Sequence, residues 1–202
     1  EASKGFVTLA DMCAQIRTLL ETKADEPMYI YAYWPAIDTL SHVHGWTHES
    51  VGAEFRAIFR QLLHELIEPL SATARQETQL WLTADHGQML VNPQQQIDLM
   101  AHQQLQNKLI MPPVGDTRLA YLYAKQGEVE TAVNYINDQL GDFLFAIPTT
   151  QAITDGLFGS APFHPAFRDR VGDIVVLAKG EATMFSAFER KTAWHVKGWH
   201  GS

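Results

Sequence analysis

Two short stretches of the sequence each place an aspartate and a histidine where a metal ion could use both. Asp38 and His42 stand four residues apart in IDTLSHVHG, and Asp85 is followed directly by His86 in TADHGQ. If the chain turns into a helix after Pro35, the side chains of Asp38 and His42 lie on one face of that helix. A carboxylate oxygen and an imidazole nitrogen together form a common half-site for Zn²⁺.

A third stretch, GWHGS, adds His200 close to the end of the sequence. Two divalent ions about 3.5–4 Å apart need roughly this set of ligands, and such a pair clamps the attacking and leaving oxygens in phosphoryl transfer. The sequence holds nine histidines, so each cluster taken alone is explained as ordinary turn, cap or packing residues. Taken together, the three stretches favour a metal site.

The elements that must position these residues are two apolar segments. MYIYAYW, residues 28–34, is apolar and aromatic without alternation, which predicts a strand buried on both faces. QLWLTA, residues 79–84, predicts a second short strand that ends just before Asp85. Ligands gather beyond the carboxyl ends of strands in an open α/β sheet. We therefore expect the two Asp-His clusters to meet in space.

Strand and helix patterns alternate through most of the sequence. This order predicts a single α/β domain over residues 1–202, with a mostly parallel sheet covered by helices on both faces and no linker. Residues 92–117 are Gln-rich and predict a partly helical excursion or loop. The remaining patterns predict helices at about 8–22, 55–67 with Ser50 as its cap, and 129–140, strands at 118–125 and 173–178, and a short extended piece at 143–148.

Composition excludes some classes of function. Apolar residues make up 46% of the chain, which is typical of a globular protein. The net charge is −8 without any basic run, so we expect no nucleic-acid groove. No apolar stretch approaches the roughly 20 residues of a membrane helix. Cys13 is the only cysteine, so no internal disulfide forms, and a cytoplasmic location is slightly favoured.

HVHGWTH also permits a rival interpretation. A His-x-His pair after a strand resembles the metal pair of amidohydrolases and, more loosely, the start of a metallo-β-lactamase motif; in that case His44 would be a ligand and Asp38 would not. The lactamase pattern requires Asp-His immediately downstream, where this sequence has Trp46, Thr47 and His48. An amidohydrolase barrel needs far more strands than the sequence shows.

The three stretches, in order, resemble the alkaline phosphatase superfamily, and most closely its type I phosphodiesterase/nucleotide pyrophosphatase branch. YAYWPAIDTLSHVHG is similar to that branch's D-x-x-x-H-x-x-G segment, LTADHGQM to its D-H-G-M-type segment, and KGWHGS to its late G-x-H-G segment. LFGSAPFHPAFRDRVGDIVVLAKG also resembles the stretch that precedes the last motif in bacterial members. The resemblance spans nearly the whole chain and implies an alkaline-phosphatase-like α/β fold, incomplete at the N-terminus.

The resemblance also implies how the ligands are divided. Asp38, His42 and His200 would hold one divalent metal, and Asp85 and His86 would hold the second. Zn²⁺ is the expected ion, with Mn²⁺ or Fe as alternatives. The substrate would be a small phosphate ester or a nucleotide.

In the family, a further aspartate and a Thr or Ser nucleophile lie well upstream of the region where this chain begins. Thr8 and Thr83 are the nearest candidates here, and neither has the family context. We therefore expect this chain to be the carboxyl-terminal part of a larger catalytic domain and to be inactive by itself. Two alternatives stay open: another superfamily activity (phosphomonoesterase, sulfatase-like, phosphonate hydrolase or phosphomutase), and a non-catalytic α/β binding module. The sequence does not predict the oligomeric state.

Overall fold

The structure is a computed structural model that describes residues 3–22, 27–185 and 196–200. Contacts divide the chain into two compact units. The first unit comprises Glu1–Ser41 and Thr47–Asp85, and the second comprises His42–Trp46 and His86–Ser202. Within the described residues, no helix has both the length and the apolar character that crossing a membrane demands.

The first unit is helical. Its elements are α1 (Leu9–Thr22), most of α2 (Ala36–His44), α3 (Glu49–Gln61), a π-helical turn (Leu62–Ile67) and α4 (Ala72–Glu77). The predicted helix at 8–22 is therefore confirmed. Its apolar positions pack against the π-helical turn and form a small core, which contains Leu9, Met12, Cys13, Leu62 and Leu66.

The predicted helix at 55–67 is confirmed, but its start and its cap differ from the prediction. The helix begins at Glu49, and its N-cap is His48, whose Nδ1 accepts the backbone N–H of Ser50 at 3.2 Å. The predicted cap, Ser50, is therefore wrong: it lies inside the first turn. An imidazole nitrogen serves here because a cap needs only an acceptor aimed at the first backbone N–H groups.

The two segments predicted as buried strands, 28–34 and 79–84, form neither strand nor helix in the structure. Within the described part of the chain, no strand pairs with either of them. Their large side chains are exposed: Tyr29 is 89% accessible, Tyr31 75% and Trp81 79%. Burial of such a segment requires a neighbouring strand and a layer on each face, and the first unit has neither among its described residues.

The second unit is built around a four-stranded antiparallel sheet in the order β3-β4-β6-β5. Its strands are β3 (Val114–Gly115), β4 (Leu119–Leu122), β5 (Leu144–Pro148) and β6 (Ile174–Ala178), and α6 (Val129–Gln139) covers the sheet. The predicted strands at 118–125 and 173–178 and the helix at 129–140 are confirmed, and the extended piece predicted at 143–148 is strand β5. The core between sheet and helix includes Leu122, Ile136, Leu144, Ile174 and Val176, all fully buried.

Two small sheets complete the second unit. β1 (Met89–Leu90) pairs antiparallel with β8 (Gly198–Trp199), and β2 (Gln96–Asp98) pairs parallel with β7 (Thr183–Phe185). The mixed α/β class is confirmed, whereas the mostly parallel sheet is not: β2–β7 is the one parallel pair among the described strands. An apolar run shows that a strand is buried, but it carries no information about the direction of its neighbour.

The region predicted as an excursion or loop, 92–117, contains short elements that join the sheets. They are β2, a 3₁₀ turn (Leu99–Ala101), α5 (Gln103–Gln106) and β3. Leu99 and Leu105 from this region are buried in the second unit's core. The remaining short helices are α7 (Thr149–Thr154) and α8 (Phe167–Val171), between β5 and β6.

Candidate metal centre

Helix α2 carries Asp38 in its first turn and His42 in its last turn. The predicted turn into helix after Pro35 is therefore confirmed, and the four-residue spacing places both side chains on one face. The helix ends at His44 and is followed by Gly45, which is buried and has a φ of +85°. A Cβ there would lie 2.8 Å from the Leu90 Cδ2, so a glycine suits this turn both in conformation and in space.

The imidazole of His42 is oriented by strand β8. Its Nδ1 lies 2.9 Å from the carbonyl oxygen of Gly198, and its own backbone carbonyl accepts the N–H of Lys197 at 2.8 Å. A carbonyl oxygen only accepts, so Nδ1 carries the proton and Nε2 carries the lone pair. His42 thus presents Nε2 in the form that binds a metal.

His200 follows β8 directly, and His86 lies shortly before β1. Because β1 and β8 pair, the two histidines are brought together from opposite ends of the second unit. The ring centroids of His86 and His200 are 4.2 Å apart, and those of His42 and His200 are 5.2 Å apart. Three of the five predicted ligands therefore converge within one unit.

All three imidazoles direct Nδ1 at an oxygen acceptor. His86 Nδ1 lies 3.0 Å from the Gly87 carbonyl oxygen, and His200 Nδ1 lies 3.3 Å from Asp116 Oδ2. Each ring is then oriented to offer Nε2, and such Nδ1–H donation is a regular feature of metal-bound histidines. The donor set therefore fits a divalent cation with a preference for nitrogen, such as Zn²⁺.

The two predicted carboxylate ligands, Asp38 and Asp85, belong to the first unit. The pKa of the Tyr33 hydroxyl is raised, first by desolvation and then by the negative charges of Asp85 and Asp38. Because such a Coulombic effect falls with distance, both carboxylates lie near this tyrosine. The two carboxylates therefore share one neighbourhood of the first unit, and the ligand roles of Asp38 and Asp85 stay predictions.

The rival ligand, His44, is the last residue of α2 and is exposed. In contrast to His42, it lies at the very end of the helix. Its role in a His-x-His pair stays an untested alternative.

Sequence reasoning missed Asp116, which lies in the turn between β3 and β4. Its Oδ1 accepts the indole N–H of Trp199, and its Oδ2 faces His200. The only local signal is the glycine-aspartate pair in VGDT, which is typical of a tight turn. Nothing in that pattern indicates a partner near the end of the chain.

Comparisons with known proteins bear on the family and the fold of this chain. The family model "Type I phosphodiesterase / nucleotide pyrophosphatase" matches residues 4–202. Human ectonucleotide pyrophosphatase/phosphodiesterase 5 is similar in fold, with 17% identity and a TM-score of 0.71. The murine protein has 18% identity, with TM-scores of 0.69 alone and 0.65 for an inactive variant in complex with AMP.

Each alignment covers 100% of this chain and 50% of the matched chain, so this chain spans about half the length of those proteins. No curated protein matches the sequence significantly. The ordered motifs, the three convergent histidines and the family match over nearly every residue agree with one another. The chain therefore belongs to the type I phosphodiesterase/nucleotide pyrophosphatase family, within the alkaline phosphatase superfamily.

Proposed function

We propose that this chain forms part of a phosphodiesterase or nucleotide pyrophosphatase that uses two divalent metal ions. The observation that carries the proposal is the convergence of His42, His86 and His200, each with Nδ1 directed at an oxygen. A proton on Nδ1 makes Nε2 the basic nitrogen of each ring, and neutral imidazole is the form that binds a metal.

In this proposal Asp38, His42 and His200 hold one ion, and Asp85 and His86 hold the other. The mixed nitrogen and oxygen donors favour Zn²⁺, with Mn²⁺ or Fe as alternatives. When bound, such ions neutralise the anionic phosphate and lower the pKa of a coordinated hydroxyl. They would also reverse the local field of a chain whose net charge is −8.

The chain's own residues would bind the metal ions and orient the ligand side chains. His42 is held by β8 and by its helix, so the orientation of its ring is set before a metal binds. Asp38 shares its helix face, and the family pattern makes it the oxygen ligand of the same ion. A pre-oriented ligand set lowers the entropic cost of holding both metal and substrate.

The nucleophile, a Thr or Ser, would come from a longer protein. Thr8 accepts the backbone N–H of Asp11 and so caps α1, while Thr83 lies in the exposed segment 79–84. Neither has the surroundings of an activated hydroxyl. The half-length coverage of the matched structures, and the inactive threonine-to-alanine variant among them, support a threonine outside this chain.

A nucleotide is the proposed substrate class. The support is the murine relative, whose inactive variant was solved in complex with AMP. The relation is distant, at 18% identity, so a nucleotide ester is proposed as a class and not as one compound.

The test uses the full-length protein that contains this chain. Metal content is measured by mass spectrometry, and cleavage of a chromogenic phosphodiester and of the matching monoester is measured with and without chelator. We expect about two metal ions per chain, chelator-sensitive turnover and a faster rate on the diester. A faster rate on the monoester would favour the phosphomonoesterase alternative.

Two histidine variants serve as the matched pair. His200→Ala should abolish chelator-sensitive turnover, whereas His164→Ala should not, because His164 lies in an exposed loop where its Nδ1 accepts the N–H of Ala166. Full turnover in His200→Ala would contradict the ligand role of His200. A protein that holds no metal would favour the non-catalytic binding module.

A further inference from the structure

We propose that Asp116 is a positioning residue that orients His200 for metal binding. The proposal rests on the proposed function, because it assumes that His200 is a ligand. Its own observation is separate: Asp116 is the carboxylate that faces the imidazole Nδ1 of His200, at 3.3 Å from Oδ2. This residue lies outside all three motifs that point to the family.

The turn that carries Asp116 is held rigidly. Gly115 precedes it with a φ of +124°, and a Cβ there would lie 2.5 Å from the carbonyl oxygen of Leu119. The backbone N–H of Asp116 donates to that same carbonyl at 2.7 Å. The turn is thus closed by backbone contacts that no other residue at position 115 would allow without strain.

The strand after the turn is anchored in the core. Arg118 is buried, and its guanidinium donates to the carbonyl oxygens of Gly180, Ala182 and Ala178 at 3.0, 2.6 and 3.2 Å. A guanidinium with three carbonyl acceptors satisfies most of its donors and resists displacement. The hairpin therefore presents the Asp116 carboxylate from a fixed support.

The two carboxylate oxygens of Asp116 contact different partners. Oδ1 accepts the indole N–H of Trp199 and the hydroxyl of Thr117, the latter at 3.2 Å, while Oδ2 faces His200. Trp199 also packs its ring against His42, with centroids 4.6 Å apart. One carboxylate thus joins the hairpin to Trp199 in β8 and to His200, which follows that strand.

The physical consequence concerns the His200 ring. A carboxylate that accepts from Nδ1–H fixes the tautomer, holds the ring plane and makes Nε2 a stronger ligand. Loss of such a partner typically weakens metal affinity by about 10–100-fold. Asp116 therefore acts on the metal through His200, without contacting it.

The test compares Asp116→Asn and Asp116→Ala with Asp155→Asn in the full-length protein. Asp155 is an exposed carboxylate of the same unit whose hydrogen bond is to Gln151, so it controls for loss of charge. Zinc dissociation constants are measured by competition with a chromogenic chelator. We expect about 10-fold weaker binding for Asp116→Asn, up to about 100-fold for Asp116→Ala, and no change for Asp155→Asn.

The two failures are distinguishable. If the wild-type protein binds no metal, the proposed function fails. If the wild type binds zinc, His200→Ala weakens binding and both Asp116 variants bind as tightly as wild type, then the positioning role is wrong while the function stands.

A second readout does not depend on a folded variant. Long-range ¹⁵N NMR of the metal-free wild-type protein reports which ring nitrogen of His200 carries the proton. The Nδ1–H tautomer is expected. A dominant Nε2–H tautomer in the wild type would overturn the proposal even if the Asp116 variants fail to fold.

Discussion

The segments that lead into the two predicted aspartate ligands differ sharply from the framework that holds the three histidines. Residues 28–34 and 79–84 form neither strand nor helix and lie before Asp38 and Asp85, with exposed Tyr29, Tyr31 and Trp81. The histidines are held instead by paired strands, by carbonyl acceptors and by the Asp116 carboxylate.

This difference shows which of the predicted ligands are held in place by contacts within the described chain. The second unit buries its sheet under α6 and supplies the hydrogen-bond acceptors for its own histidines. The first unit leaves large apolar side chains exposed, and Tyr29, Tyr31 and Trp81 are examples. We expect the longer protein of the proposed function to cover those side chains.

The largest expected effect is on the second unit's core. Ile174 is fully buried in β6, and Ile174→Ala should lower the free energy of unfolding by about 2–5 kcal/mol. Leu63→Ala, at a side chain of the first unit that is 43% exposed, is the control and should cost much less. Chemical denaturation of both variants measures this. Equal losses would break the distinction between the two regions.

Removal of His42 should be the next largest effect. His42→Ala is expected to weaken zinc binding by the full-length protein by more than about 100-fold. Loss of a residue that only orients a ligand typically weakens metal affinity by about 10–100-fold. His44→Ala is the matched control, since His44 is exposed at the end of the same helix. Chelator competition measures both constants. A larger loss for His44→Ala would support the rival His-x-His interpretation.

Gly45→Ala tests how the second unit places His42. The φ of +85° should cost an alanine about 1–2 kcal/mol of folding free energy, with the Leu90 contact in addition. Gly87→Ala should be within about 0.5 kcal/mol of wild type, because nothing lies within 4 Å of the added Cβ. Thermal or chemical unfolding measures both. An unchanged Gly45→Ala would mean that the turn after α2 does not constrain the helix.

The smallest expected effect is at Trp81. In the 202-residue chain, Trp81→Ser should change the free energy of unfolding by less than about 0.5 kcal/mol, because the side chain is 79% exposed. In the longer protein the same change should cost more, since the segment would then be covered. A large loss in the short chain would show that 79–84 is already packed, and equal small losses in both would argue against such a cover.

Much of the second unit could be predicted from local patterns. The 129–140 helix follows from apolar positions at helical spacing, and the strand at 173–178 from its Val-rich run. The histidine ligands could be proposed because their motifs are short and occur in order. The cap of α3 was predicted wrongly because serine is the commoner cap, and the chain uses His48 at the position that the helix start requires.

The contacts of Asp116 could not be predicted, because its partners, Trp199 and His200, are more than 80 residues away in sequence. The local pattern of apolar residues also did not indicate the directions of the strands or the exposure of residues 28–34. By itself, the sequence determined which side chains can act as ligands and where helical spacing recurs, because side-chain chemistry and residue period are local properties. Only the tertiary structure decided which strands pair, which faces are covered and which carboxylate faces His200, because pairing and burial depend on segments that are distant in sequence.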